Sequence, residues 1–295
     1  RGRFASDLIK TEYVKFSGDG NAGSTGYALE PYLQTKDRGI NFFTDDSLFE
    51  EVEKFDRMGM GVTIHVTGDA AVRQMIDAVE RVKKKHGELK ARHQIGHASM
   101  IHPDDISRLK SLDLTVEFSP VVWFTTAFVK AQIPQIGEER MRYWYPMRSV
   151  AKHGGRFVIA SDGPLMWQDT FRRLESSITR VAPDGDTEPL APHEAIDLAV
   201  ALKAMTLDSA YLMDIEEEVG SIEVGKRADM IVLDKNLFDI PSDAIESSKV
   251  LLTVFEGDVV YDASSDPTGE EAIEDRYGVE LDLTGETGHP CCEWH

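Results

Sequence analysis

The sequence predicts an α/β fold: a parallel sheet covered by helices, followed by a small all-β unit. Three observations predict it. Strand-like and helix-like segments alternate through the middle of the chain, as they do where parallel strands are joined by helical crossovers. The chemically distinctive polar residues fall at the C-terminal ends of the strand-like runs, where (β/α) barrels gather their working side chains. After about residue 218 the pattern becomes short alternating runs broken by turn glycines, which is the signature of strands outside the first sheet.

Each element has its own local reason. "EYVKFSG" (12–18) is a short strand, and "GVTIHVTG" (61–68) is a clearer one. In "DAAVRQMIDAVERVKKKH", apolar residues recur at Val72, Met75, Ile76, Val79 and Val82. Those steps of three and four make one helical face, and Asp69 stands at the expected N-cap. "ARHQIGH" (91–97) is a strand, and "HPDDISRLKSL" (102–112) a helix with Pro103 in its first turn and two acids at the dipole's positive end. "LTVEFSP" (114–120) and "GGRFVIASDGP" (154–164) are further strands, and residues 193–213 read as one helix. This makes five strand–helix units. Residues 1–215 are expected to form the barrel portion, 216–262 the small sheet, and 263–295 an acidic tail.

The 295 residues carry 52 acidic against 32 basic side chains, a net charge of −20. The basic cluster Arg81, Lys83, Lys84 and Lys85 fits a solvated helix end, so no nucleic-acid partner is expected. No apolar run reaches membrane-spanning length. The two cysteines, Cys291 and Cys292, are adjacent and cannot staple a distant loop. A cytoplasmic setting is the expectation. The first residue is Arg1 rather than an initiator Met, and the stretch is expected to be part of a longer chain.

Lys15, His65, His97 and Asp162 lie at or near strand ends. Singly, each has a plain reading: a solvated charge, a hydrogen-bonded histidine, a turn aspartate. Together, two imidazoles and a carboxylate suit Zn²⁺ or a similar divalent ion. Such an ion makes hydroxide available near neutral pH, and Asp162 could then serve as ligand and general acid/base. Lys15 can ligate only as a carbamate. His93 reads as structural, and His102 as part of a helix entry. Trp123, Phe124, Trp144 and Trp167 suit a substrate pocket or the core. Arg140 suits a substrate carboxylate or an ion pair with Glu138 or Glu139. The tail residues His289, Cys291, Cys292 and His295 form a less apt metal set.

Several segments carry a family resemblance: "IHVTGDAAVRQMIDAVE", "RHQIGHASMIHPDDISRLKSL", "IGEERMRYWYPMRSVAKHGGRFVIASDGPL", and "VGSIEVGKRADMIVLDKN" with "VFEGDVVYD". Together they resemble the C-terminal half of the amidohydrolase superfamily's third amidohydrolase family, which includes N-substituted formamide deformylase-like enzymes. The resemblance spans roughly residues 10 to 262. It implies a partial (β/α)8 TIM-type barrel, about strands 4–8, with C-terminal strands of a small β-sandwich domain. It implies His65, His97 and Asp162 as metal ligands, and Lys15 as the carboxylated lysine bridging two ions. It also implies hydrolysis of a non-peptide C–N bond in a small-molecule amide or formamide.

The family's first-strand His-x-His pair has no counterpart among the nine histidines. The expected edges of the half-barrel are therefore the Lys15 and Asp162 strands, which would pair with a missing N-terminal half or with a second copy. Two other functions fit: a non-catalytic interaction unit, or a metal-dependent esterase or phosphotriesterase.

Overall fold

The computed structural model describes residues 5–6, 9–119, 121–163, 169–182, 185 and 187–265. Trp167, most of the acidic tail and its His289, Cys291, Cys292 and His295 lie outside them. By its contacts the chain divides into two units: residues up to 226 with 235–248, and residues 227–234 with 249 onward.

The first unit is built on an open parallel sheet in sequence order. Its strands are β1 (Tyr13–Ser17), β2 (Gly61–Val66), β3 (Gln94–His97), β4 (Thr115–Phe118) and β5 (Arg156–Ile159). All four pairings are parallel, and each crossover carries helix, as parallel neighbours require. The sheet is not closed into a barrel: β1 and β5 are its edges, the two strands the sequence marks as edges.

One helix follows each of the first three strands. In α1 (Asp45–Arg57), Thr44 and Ser47 form a capping box, satisfying two of the N–H groups a helix start leaves unpaired. This helix packs by Phe55 against Phe16 on β1, ring centroids 5.7 Å apart. In α2 (Asp69–His86), the predicted apolar stripe is buried in full. Its N-cap is Gly68, one residue before the expected Asp69. Asp69 instead turns its carboxylate to accept the Leu29 N–H at 2.8 Å. A Cβ at residue 68 would stand 2.1 Å from the Tyr27 carbonyl, so only glycine lets that loop lie against the helix start. In α3 (Pro103–Leu112), Pro103 occupies the first turn and Asp113 ends the helix in left-handed conformation. Between β4 and β5 the chain forms α4 (Ala127–Ile136), α5 (Glu138–Met141) and α6 (Met147–Lys152).

After β5 come α7 (Thr170–Thr179), α8 (Leu198–Met205) and α9 (Leu207–Leu212). The single helix expected over 193–213 is broken: Thr206 sits at φ −124° and ψ −88°, outside helical space. The second unit holds β6 (Met230–Leu233), β7 (Val250–Phe255) and β8 (Asp258–Asp262), paired antiparallel in that order. Glu256 and Gly257, both at positive φ, form the two-residue turn between β7 and β8. Ile231, Val232, Val259 and Val260 are exposed on this sheet.

A buried, multiply hydrogen-bonded carboxylate anchors the N-terminal ends of the strands. The Asp56 carboxylate accepts from Lys90 N at 2.8 Å, Ala91 N at 3.2 Å and His93 Nε2 at 3.2 Å. The other ring nitrogen, His93 Nδ1, accepts from Val62 N at 3.1 Å, so His93 is a structural bridge. Burial alone would raise the Asp56 pKa. The hydrogen bonds from His93, Arg57 and Lys90 outweigh it and hold the carboxyl at about 2.

The folded pKa lies below the unfolded one, so this contribution is complete above about pH 4 and is lost as pH falls toward 2. The shift corresponds to about 2 kcal/mol. In urea titrations, Asp56→Asn should lose stability at neutral pH and lose the acid-dependent part of the wild-type profile. Ile64→Ala, at a fully buried strand position, should cost about 3 kcal/mol at every pH.

Candidate metal centre

Register places the first candidate residues. Lys15 pairs with Thr63, two positions before His65 on β2. Side chains alternate along a strand, so Lys15 and His65 share one face of the sheet. Phe16 takes the opposite, helix-covered face. Val66, the neighbour of His65, pairs with His97 at the end of β3; His97 leaves regular strand backbone there, and the two imidazoles lie with ring centroids 4.3 Å apart at 61°. Asp162 follows β5, and its Oδ2 lies 3.9 Å from His97 Nδ1. His65, His97 and Asp162 are therefore gathered at the C-terminal edge of the sheet.

Two of these residues have unusual backbones. His97 has φ +68° and Asp162 φ +54°, in the left-handed region that L-residues avoid. The Ala98 N–H bonds back to Gly96 O at 3.0 Å and to Val66 O at 2.9 Å. His97 is thus the centre of a three-residue turn of the strained hand. Strain of this kind gathers at working sites, where surrounding contacts hold it in place.

Burial sets the electrostatics. It pushes the His65 imidazole down to about 4, with His97 and Lys15 adding to the effect. Burial also lowers His97, while Asp162 pulls the other way. Both rings are therefore neutral near pH 7 and keep a lone pair for a ligand.

Asp19, in the loop after β1, does more than turn the chain. Its buried carboxylate accepts from Thr67 N at 2.9 Å, Gly68 N at 2.8 Å and Tyr27 N at 2.9 Å. Burial drives its pKa up to about 7 against those three donors. It ties the loop after β1 to the loop after β2, 4.0 Å from His65 Nε2. His65 Nε2 itself faces Gly20 O at 3.3 Å.

The donor chemistry fits a divalent cation: two neutral imidazoles and a carboxylate. The set is open as it stands. Among the described residues, no three His, Cys, Asp or Glu side chains close around one ion.

The expected substrate-side residues are placed differently. Trp123 and Trp144 are completely buried. Their indole N–H groups donate to Ser176 Oγ at 3.0 Å and to Val122 O at 2.8 Å. Both belong to the core here, packed edge-on to Tyr145. Arg140 donates to Pro31 O at 3.2 Å rather than reaching Glu138 or Glu139. It lines a cavity of about 350 Å³ together with Asp69, Arg73, His102 and Tyr143. Ser119, which contacts His97, and Glu117 and Tyr145, which hydrogen-bond to Ser119, had no forecast in the sequence. The one signal was a glutamate within the apolar strand "LTVEFSP".

The left-handed turn at His97 makes a stability prediction. Glycine is ordinarily worse than alanine within a strand. At position 97 the order should reverse, with His97→Gly more stable than His97→Ala by about 1 kcal/mol. Chemical denaturation of the two variants measures this, and an alanine variant of equal or greater stability would refute the turn.

The amidohydrolase family model matches residues 2–261. Among curated proteins, Protein LONG AFTER FAR-RED 3 of Arabidopsis thaliana is 26% identical over 264 residues, covering 88% of this chain and 45% of that protein. N-substituted formamide deformylase of Arthrobacter pascens is 26% identical over 224 residues, covering 76% of this chain and 41% of that protein. The chain thus spans less than half the length of either relative. An uncharacterized metal-dependent hydrolase from Pyrococcus horikoshii superposes with a TM-score of 0.66 at 24% identity, over 78% of this chain and 45% of that one. At that identity the likeness concerns the fold. The chain belongs to the amidohydrolase family, and within it to the third amidohydrolase family.

Proposed function

We propose that this chain carries part of the metal centre of a hydrolase acting on non-peptide C–N bonds, with a small-molecule amide or formamide as substrate. One observation carries the reading: two imidazoles, His65 and His97, meet at 4.3 Å where adjacent parallel strands end. The name of the Arthrobacter relative, a deformylase of N-substituted formamides, supports the bond class.

In this reading His65, His97 and Asp162 hold a divalent ion, with zinc the first candidate by donor type. Lys15, as a carbamate, would join a second ion. Such an ion lowers the pKa of water and polarises the scissile carbonyl. The Asp162 carboxylate accepts the proton of the attacking water and returns it to the leaving amine. Water is consumed, the C–N bond breaks, and an acid and an amine are released. His65, His97 and Asp162 do not close around one ion among the described residues, so in this reading the set is completed by groups from the rest of the barrel. On this view β1–β5 are about strands 4–8 of a (β/α)8 barrel. The small sheet belongs to a β-sandwich, and the enzyme works in the cytoplasm. Both β1 and β5 would pair with the remaining strands or with a second copy. Arg140 is proposed to meet a carboxylate-bearing substrate through its cavity. Trp123 and Trp144 would serve the substrate pocket only from behind, by supporting Tyr145.

A second reading, a non-catalytic interaction unit, draws on the same open ligand set. A metal-dependent esterase or phosphotriesterase is the alternative within enzymes.

Elemental analysis after zinc loading and desalting separates these readings. Wild type should retain metal. His65→Ala, His97→Ala and Asp162→Ala should each retain at least tenfold less at limiting zinc. Equal metal in all four would overturn the site. Parallel assays on matched formamide and ester substrates should favour the formamide, with Asp162→Asn lowering turnover by at least 100-fold.

A further inference from the structure

Glu117 is absent from the ligand set, yet it shares a level of the sheet with His65. Ser17, His65, Gly96, Glu117 and Val158 are successive register partners across the five strands. Gly96 leaves the place between His65 and Glu117 without a side chain.

Both carboxylate oxygens of Glu117 accept hydrogen bonds. Gln94 Nε2 donates to Oε2, and Ser119 Oγ donates to Oε1 at 2.5 Å. Gln94 Oε1 in turn accepts from Thr63 Oγ1 at 3.0 Å. A polar chain therefore runs across β2, β3 and β4 and ends on Ser119, which is fully buried.

A serine hydroxyl has one proton to give, and here Glu117 receives it. Toward His97 Nδ1, 3.2 Å away, Ser119 Oγ can then only accept. The Ser119 carbonyl oxygen, 3.1 Å from the same nitrogen, is also an acceptor. Tyr145 pins that carbonyl by donating to it at 3.0 Å. Two acceptors around one ring nitrogen require the proton to sit there. In a neutral imidazole the lone pair is then on Nε2.

We propose that Glu117, acting through the Ser119 hydroxyl, is a positioning residue that fixes His97 as the Nδ1–H tautomer and reserves its Nε2 lone pair for a ligand. The use of that lone pair for a metal rests on the function proposed above. The tautomer does not. The chemistry is that of outer-shell partners that orient a ligating histidine, with a hydroxyl placed between carboxylate and ring.

The test reads His97 in the metal-free, ¹⁵N-histidine-labelled full chain by long-range ¹H–¹⁵N correlation, with His97→Ala assigning the signals. Wild type should show Nδ1–H. Glu117→Ala frees the hydroxyl to donate into Nδ1, and the ring should shift toward Nε2–H. Glu117→Gln keeps an acceptor oxygen for Ser119 and should restore Nδ1–H. Ser119→Ala leaves the carbonyl acceptor and should also keep Nδ1–H. Zinc affinity should fall roughly 10- to 100-fold in Glu117→Ala and recover in Glu117→Gln. If Glu117→Ala does not fold, Glu117→Leu, closer in volume, is read in the same way. A wild-type Nε2–H ring, or a tautomer unchanged when the carboxylate is removed, overturns the proposal. Because the tautomer is read without metal, a chain that binds no zinc would sink the metal site and leave this result intact.

Discussion

The parallel, in-register ladder of β1 to β5 is the constraint on which the rest of the first unit depends. A parallel pair cannot be closed by a tight turn, so each strand must be followed by a crossover that returns to the sheet's starting edge. Every loop after a strand then lies at one edge, and every loop before a strand at the other. That rule gathers Gly18–Asp19, Thr67–Gly68, Ala98 and Asp162 together. It separates them from Asp56 and His93, which sit at the entrances to β2 and β3. Chemistry and anchoring are divided between the two ends by topology before any side chain is chosen.

Within the chemical end, the structure accepts unfavourable terms that a purely structural edge would avoid. His97 and Asp162 stand in left-handed backbone, and the half-buried His65 imidazole lies beside the buried His97 ring. Asp19 is a carboxylate taken out of water and held by three N–H donors. Buried groups of this kind persist when their partners are fixed. Here the fixing comes from the two loops clamped by Asp19 and from the hydrogen-bonded chain Thr63–Gln94–Glu117–Ser119. The same polar chain lies on a sheet face that, in an ordinary helix-covered parallel sheet, would be apolar.

The regular elements were legible because their signals are local. The stripe Val72–Met75–Ile76–Val79–Val82, Pro103 at a helix start and the β-branched run before His65 each carry their own periodicity or punctuation. Elements whose signal is weaker escaped that reading. Helix α1 begins at a Thr–Ser box that propensity alone does not mark, and α4 contains Pro134, which argues against a helix. The continuous apolar run over 193–213 concealed the break at Thr206, since periodicity does not register a single non-helical ψ. At the site, His65, His97 and Asp162 were legible as strand-end residues. Trp123 and Trp144 were equally consistent with pocket and core, and three-dimensional packing placed them in the core.

By itself the sequence determined the alternation of strands and helices, the parallel sense that follows from it, and the residue types at the strand ends. These are consequences of hydrophobic period, β-branching and turn chemistry, all of which act within a few residues. Only the tertiary structure decided which strand ends face each other and how each ring is held. The 4.3 Å approach of His65 to His97, the Asp19 clamp and the path from Glu117 through Ser119 to Nδ1 all depend on register between strands distant in sequence. A shift of one residue in that register would turn every one of these side chains to the opposite face, and no local signal in the chain encodes it.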